Sequence, residues 1–205
     1  MTPSPRRDLI VIGTSAGGVQ ALRQLFGALP GDLPAAVAVV IHRSPFAGSM
    51  LADVLDRSTV LSVSEPAHEE RFETGRIYLA PRDHHLIVSD GHFLLTRGPK
   101  EHYTRPAVDP LFRSAAESAG RRVIGVVLTG SGGDGVIGLI AIKAAGGMSL
   151  VQDPAEALHD SMPETAIEHD DVDAILTISE LAEELPRLAA GADPRPRYRR
   201  LDVAR

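Results

Sequence analysis

The sequence predicts an α/β fold: a doubly wound, mainly parallel sheet with helices on both faces and one antiparallel β-hairpin. Three observations predict it. Continuous apolar, largely β-branched runs recur at residues 9–12, 35–41 and 122–129, the pattern of strands buried on both faces. Amphipathic helical stretches alternate with these runs, as βα units require. A stretch of strand residues is broken by Asp90-Gly91, the signal of a tight hairpin.

The first unit organises the rest. Residues 9–12 lead straight into Gly13-Thr14-Ser15-Ala16-Gly17-Gly18, and a helix follows that places Leu22, Leu25, Phe26 and Leu29 on one face. A turn of small residues at the carboxyl end of a strand is where open α/β sheets bind ligands. Such a turn can cradle a phosphate or project a serine as the nucleophile elbow G-x-S-x-G, which residues 13–17 match. It can also be a plain turn in which Ser15 caps the helix. The pattern is not G-x-G-x-x-G, because Ser15 stands at the second glycine, and it lacks the lysine of a P-loop.

The remaining elements follow in order. After Leu29-Pro30-Gly31 comes the strand at 35–41, with His42 at its carboxyl end, then a helix at 49–57 and short strands at 60–63 and 77–81. The hairpin pairs 85–89 with 92–96. Residues 98–105 form a polar loop with His102 and Tyr103. Asp109 is expected to cap a helix to about residue 119, with Pro110 at its first position. The strand at 122–129 runs into Gly130-Ser131-Gly132-Gly133-Asp134-Gly135, then a helix at 136–145 ended by Gly146-Gly147. A strand at 148–151, a loop from Gln152, a short helix from Met162, a strand at 174–177 and an amphipathic helix at 179–189 complete the domain. It is placed at 8–191, between a lead at 1–7 and a basic, proline-containing tail at 192–205.

Composition narrows the class. Hydrophobic residues are 43% of the chain and aromatics only 4%, so the core must be aliphatic. The net charge of -6 argues against nucleic acid as the main partner. The chain contains no cysteine, which removes thiol nucleophiles, thiolate metal sites and disulfides and fits a cytoplasmic setting. No stretch reaches transmembrane length, so no membrane insertion is expected. His84 and His85 are neighbours on a strand and face opposite ways, His102 lies in a loop and His159 near the Gln152 loop, so no metal site is expected, and no cofactor is implied.

Ser15, His42 and Asp134 all stand just beyond the ends of buried strands. If those strands are parallel neighbours, the three residues share one edge of the sheet. Serine as nucleophile, histidine as base and aspartate to orient the imidazole make up the set for acyl transfer. Each has a bland reading as well, as a helix cap, a structural histidine or a turn aspartate.

These motifs resemble the catalytic domain of the CheB-type chemotaxis receptor methylesterases (protein-glutamate methylesterases). Residues 13–18 resemble that family's G-x-S-[TA]-G-G, residues 105–112 its R-P-S-V-D-x-L-F, and residues 128–135 its L-T-G-M-G-x-D-G. Gln152-Asp153 and Met162-Pro163 match its Q-D and M-P. The resemblance implies a Ser15–His42–Asp134 triad that hydrolyses glutamate γ-methyl esters on the cytoplasmic helices of methylated chemoreceptors, releasing methanol, with deamidation of receptor glutamines in some members. Oxyanion donors are expected from Ala16 and from the Gly130-Ser131-Gly132 turn, with Gln152 and Met162 lining the site. Arg105 and Asp109 are expected to be a loop-fixing pair at a helix start rather than catalytic groups.

The pattern departs from the family at three places. Ala16 follows the serine, where threonine is usual. Ser131 replaces a methionine. The family's Q-H-M-P reads Ile41-His42-Arg43-Ser44-Pro45, so Arg43 is free to meet an acidic receptor surface or to lie in solvent. Only seven residues precede the first strand, so gating by a phosphorylated receiver is expected from a separate chain, or the domain is always active. The alternatives are an esterase or amidase on another substrate, and a non-catalytic module binding a signalling partner. A dinucleotide-binding reading is disfavoured, because the second strand ends in His42 rather than an acidic ribose ligand.

Overall fold

The computed structural model describes residues 6–43, 50–170, 172–193 and 195. Seven strands form one sheet: β1 (Leu9–Thr14), β2 (Ala36–Ile41), β3 (Ser62–Ser64), β5 (Arg76–Leu79), β8 (Val123–Val127), β9 (Met148–Gln152) and β10 (Ala174–Leu176). Their order is β10-β9-β8-β1-β2-β5-β3, and every pairing is parallel. β1 is therefore flanked by β2 and β8, which puts the carboxyl ends of all three side by side. Register carries this to the residue: Thr14 lies opposite Ile41, and Gly13 opposite Val127.

The sheet is wound on both sides. Alternate side chains of a strand face opposite ways, so Ile10 and Ile12 enter one core while Leu9 and Val11 enter the other. The first core receives α1 (Gly18–Ala28) through Leu22, Leu25 and Phe26, α2 (Leu51–Asp56) through Leu55, and α6 (Ile178–Ala189) through Leu181, Leu185 and Leu188. The second receives α3 (Val108–Ala119), α4 (Val136–Ala144) and α5 (Ser161–His169) through Phe112, Leu139 and Ala166. Among the described residues no helix is long and apolar enough to cross a membrane.

The hairpin of β6 (His85–Ser89) and β7 (His92–Thr96) turns at Asp90-Gly91 as predicted, but it does not join the large sheet. It forms its own antiparallel sheet with β4 (Glu70–Arg71), a pairing too short to register in the sequence. Phe93 anchors this sheet, its ring 4.8 Å from that of Tyr78 on β5.

Other expectations need correction. The helix expected from residue 49 is α2, beginning at Leu51; Ser49 lies outside the described residues. The strand expected at 60–63 is β3, two residues later, and Val60 is exposed. At the chain ends, the lead's Arg7 is buried and donates to the carbonyls of Leu188 and Ala192, while Arg195 pairs with Glu184 at 3.0 Å. The rest of the tail lies outside the described residues, apart from Ala192 and Asp193.

Candidate active site

The small-residue turn after β1 is built to bring Ser15 close to the β8 end. Gly17 has φ 78°, a left-handed conformation that suits glycine, and a β-carbon there would lie 3.0 Å from Thr129 Oγ1. Gly130 is equally constrained by space, since a β-carbon would come within 2.9 Å of the Ser15 β-carbon and 2.6 Å of Met162 Sδ. Thr129, which the sequence did not single out, ties the site together. Its carbonyl accepts from Thr14 Oγ1 at 2.7 Å and from Ser15 N–H at 3.1 Å, and its own N–H donates to Gln152 Oε1 at 2.8 Å. Its hydroxyl accepts from His159 N–H at 2.9 Å. Thr129 stood only as a letter of the L-T-G motif; its partners come from three segments far apart in sequence.

Parallel pairing of β1 with β2 and β8 brings the three predicted residues into one hydrogen-bonded row. His42 Nδ1 lies 3.1 Å from Ser15 Oγ, and His42 Nε2 lies 2.7 Å from Asp134 Oδ2. A carboxylate only accepts, so Nε2 carries the proton and the Nδ1 lone pair faces the serine hydroxyl. Ser15 and His42 are half-buried, whereas Asp134 is buried.

Asp134 is held by a helix start. Its Oδ2 accepts Val108 N–H at 2.7 Å and its Oδ1 accepts Asp109 N–H at 2.9 Å. Burial works to raise its pKa, but the bonds from His42 and from these two N–H groups outweigh it and hold the carboxyl below its usual range. The expected cap is thereby corrected. Asp109 does not cap its own helix; it lies inside the first turn of α3, which Asp134 caps from outside. Asp109 in turn accepts Gly138 N–H of α4 at 2.7 Å, so Asp134 satisfies the start of the helix that contains Asp109, and Asp109 the start of the helix that follows Asp134. Burial raises the pKa of Asp109, and the bonds from Gly138 and His102 offset this only in part.

Asp109 stands at a helix start and Arg105 holds loop atoms, without a bond between the two. Arg105 binds Asp83 at 2.6 Å and the Gly98 carbonyl at 2.6 Å. His102 is the residue that meets Asp109, with Nε2 2.9 Å from Oδ2 and 3.8 Å from Asp134 Oδ1. The turn carrying it closes through Glu101 and Thr104, and Arg113 grips Glu101 at 2.8 and 2.9 Å. His102, Asp109 and Asp134 have ligand atoms within 4.8 Å of one another, so this trio could hold a metal ion. Each aspartate oxygen in it already accepts a hydrogen bond.

The other expected site residues divide. Ala16 N–H, next to Ser15, has no acceptor among the described residues and lies just ahead of α1. Gly130 does not offer a free donor, because its N–H is bonded to the His159 carbonyl at 3.0 Å. Gly132 N–H lies 3.4 Å from Ser161 Oγ, and Ser131 is exposed. Gln152 and Met162 do not line the cleft beside Ser15. Gln152 is buried with its amide committed to Thr129 N–H and Glu156, and Met162 is buried beneath Gly130, whose carbonyl takes its N–H at 3.0 Å.

Residues 10–185 match the CheB methylesterase family. The chain is 40% identical over 89% of its length to protein-glutamate methylesterase/protein-glutamine glutaminase 2 of Anaeromyxobacter dehalogenans, covering 54% of that protein. A putative enzyme of the same name from Leptospira interrogans is 35% identical, with 88% of this chain and 94% of that one aligned. The chain spans about half the length of several of the curated relatives it matches. The crystal structure of the Thermotoga maritima CheB methylesterase catalytic domain superposes with a TM-score of 0.84 at 34% identity, covering 88% of this chain and 98% of that one.

Proposed function

The chain belongs to the CheB methylesterase family, and on that premise we propose that it is a serine hydrolase of glutamate γ-methyl esters on chemoreceptor helices. By the same acyl chemistry it also deamidates glutamine side chains, as the names of its relatives suggest. The observation that carries this reading is the row Ser15–His42–Asp134, with contacts of 3.1 and 2.7 Å.

Ser15 Oγ attacks the ester carbonyl as His42 Nδ1 takes its proton. Asp134 holds the opposite ring nitrogen and stabilises the imidazolium that forms. Negative charge gathering on the carbonyl oxygen meets the Ala16 N–H and the positive end of α1. His42 then passes its proton to the departing methoxide, and methanol leaves. Water enters, gives its proton to His42 and attacks the acyl-serine. The return of that proton to Ser15 releases the glutamate carboxyl. With a glutamine side chain the leaving group is ammonia.

The test is methanol release from a methylated chemoreceptor fragment, with wild type beside Ser15→Ala. Release by the wild type and its loss in the variant is the expected result. No release, with equal binding of the fragment by both proteins, would replace the hydrolase with a binding module.

A further inference from the structure

The cleft beside Ser15 holds a cation that the hydrolytic steps leave unused. The cleft has a volume of about 460 Å³, and its walls include Val19, Ile41, Leu51, His42 and Arg43. The three aliphatic side chains suit the methylenes and methyl group of an esterified glutamate. Arg43 is the one permanently charged side chain among the described residues that line it. It follows His42 directly, at the position where the resembling motif carries methionine.

The Arg43 side chain is 8% exposed. Its Nη2 donates to Glu65 Oε1 and to the Ala80 carbonyl, both at 2.6 Å. Its Nε and Nη1 are buried and have no acceptor among the described residues. Buried donors in proteins are nearly all paired, because water has been taken from them and nothing has replaced it, and the cost is greatest on a charged group. Glu65 balances the charge only in part, since its own side chain is 40% exposed and shared with solvent. The two Nη2 bonds also fix the guanidinium in place beside the cleft. Gln20, on the rim of the cleft, also borders a smaller one of about 370 Å³ lined by Arg23 and Arg57.

We propose that Arg43 is a specificity residue, donating to the carboxylate of an acidic side chain that flanks the scissile glutamyl ester. The site thereby selects esters set in acidic helical segments. This assignment rests on the hydrolase reading above.

Two helical peptides test it, each with one glutamate γ-methyl ester and either Glu or Ala three and four residues to each side, the spacing that shares a helix face. Methanol release gives KM for both with wild type, Arg43→Met and Arg43→Lys. The wild-type KM is expected to be about 10-fold lower for the Glu peptide. That ratio falls to near 1 in Arg43→Met and returns in part in Arg43→Lys. A ratio near 1 in the wild type, or one that survives in Arg43→Met, overturns the assignment. If the wild type releases methanol from neither peptide, the hydrolase reading fails separately, and the affinities of both peptides are compared by fluorescence anisotropy. A Glu preference abolished by Arg43→Met then still supports Arg43, and its absence overturns it. Should Arg43→Met fail to fold by circular dichroism, the same ratios are read in Arg43→Lys and Arg43→Gln.

Discussion

The helix that begins beside Ser15 and the two that begin around Asp134 handle their exposed N–H groups in opposite ways. α1 starts after Gly17 with no side-chain cap and no acidic residue in its first turn. α3 and α4 start against buried carboxylates, Asp134 on the first and Asp109 on the second. A carboxylate at a helix start is favourable because the N–H groups and the helix dipole both attract it. The start of α1 lacks that permanent partner, which leaves it able to receive charge that exists only during a reaction. The starts of α3 and α4 are filled with permanent charge, and one of those charges holds His42. Under the proposed hydrolysis one region would meet a transient anion, while the other holds a standing one.

The contrast can be broken at either region. The largest expected effect is at the open one: Ser15→Ala should lower methanol release by at least about 10⁴-fold, with the urea midpoint little changed. Asp134→Asn comes next. It preserves shape but cannot hold the imidazolium, and kcat should fall by about 10³- to 10⁴-fold.

The two aspartates should also differ in how they couple stability to pH. Asp134 has a lowered native pKa, so it adds stability above its unfolded value of 3.8, and that gain is lost as pH falls through the native value. Asp109 has a raised native pKa, so its ionisation costs stability, and the cost sets in as pH rises from 3.8 through the native value. Urea midpoints of wild type minus Asp134→Asn should therefore rise with pH across the acid range. The corresponding difference for Asp109→Asn should fall. Equal slopes would remove the distinction drawn between the two carboxylates.

Smaller effects sharpen the comparison. Gly17→Ala places a β-carbon on a left-handed residue and should cost about 1–2 kcal/mol in urea unfolding, with a fall in kcat as the Ser15 turn shifts. Thr177 is a distant control. It caps α6 in a capping box with Glu180, through bonds of 3.2 and 2.8 Å. Thr177→Ala should cost about 1 kcal/mol and leave methanol release unchanged.

Much of this arrangement was legible in the sequence because its signals are local. An unbroken apolar run marks a buried strand, and the polar residue that follows marks its end, so Ser15, His42 and Asp134 could each be placed without knowing what packed against what. The hairpin was legible through Asp90-Gly91. The cap of α3 was misread because Asp109 stands where a cap would stand, while the group that does the capping arrives from residue 134. Thr129 and His102 went unrecognised for the same reason, since their partners lie in other loops. Gly130 was a reasonable donor until His159 was seen to occupy its N–H.

The sequence by itself determined the alternation of buried strands and amphipathic helices, the turn of small residues around Ser15, and the chemical types at three strand ends. Periodicity and backbone preference act over a few residues, and a single chain carries them openly. Only the tertiary structure decided that β1 lies between β2 and β8, that Asp134 serves the start of α3 and Asp109 the start of α4, and that Arg43 lies beside the cleft with part of its guanidinium buried and unpaired among the described residues. These depend on contacts between segments far apart in the chain, where burial, rather than residue type, decides which polar groups find a partner.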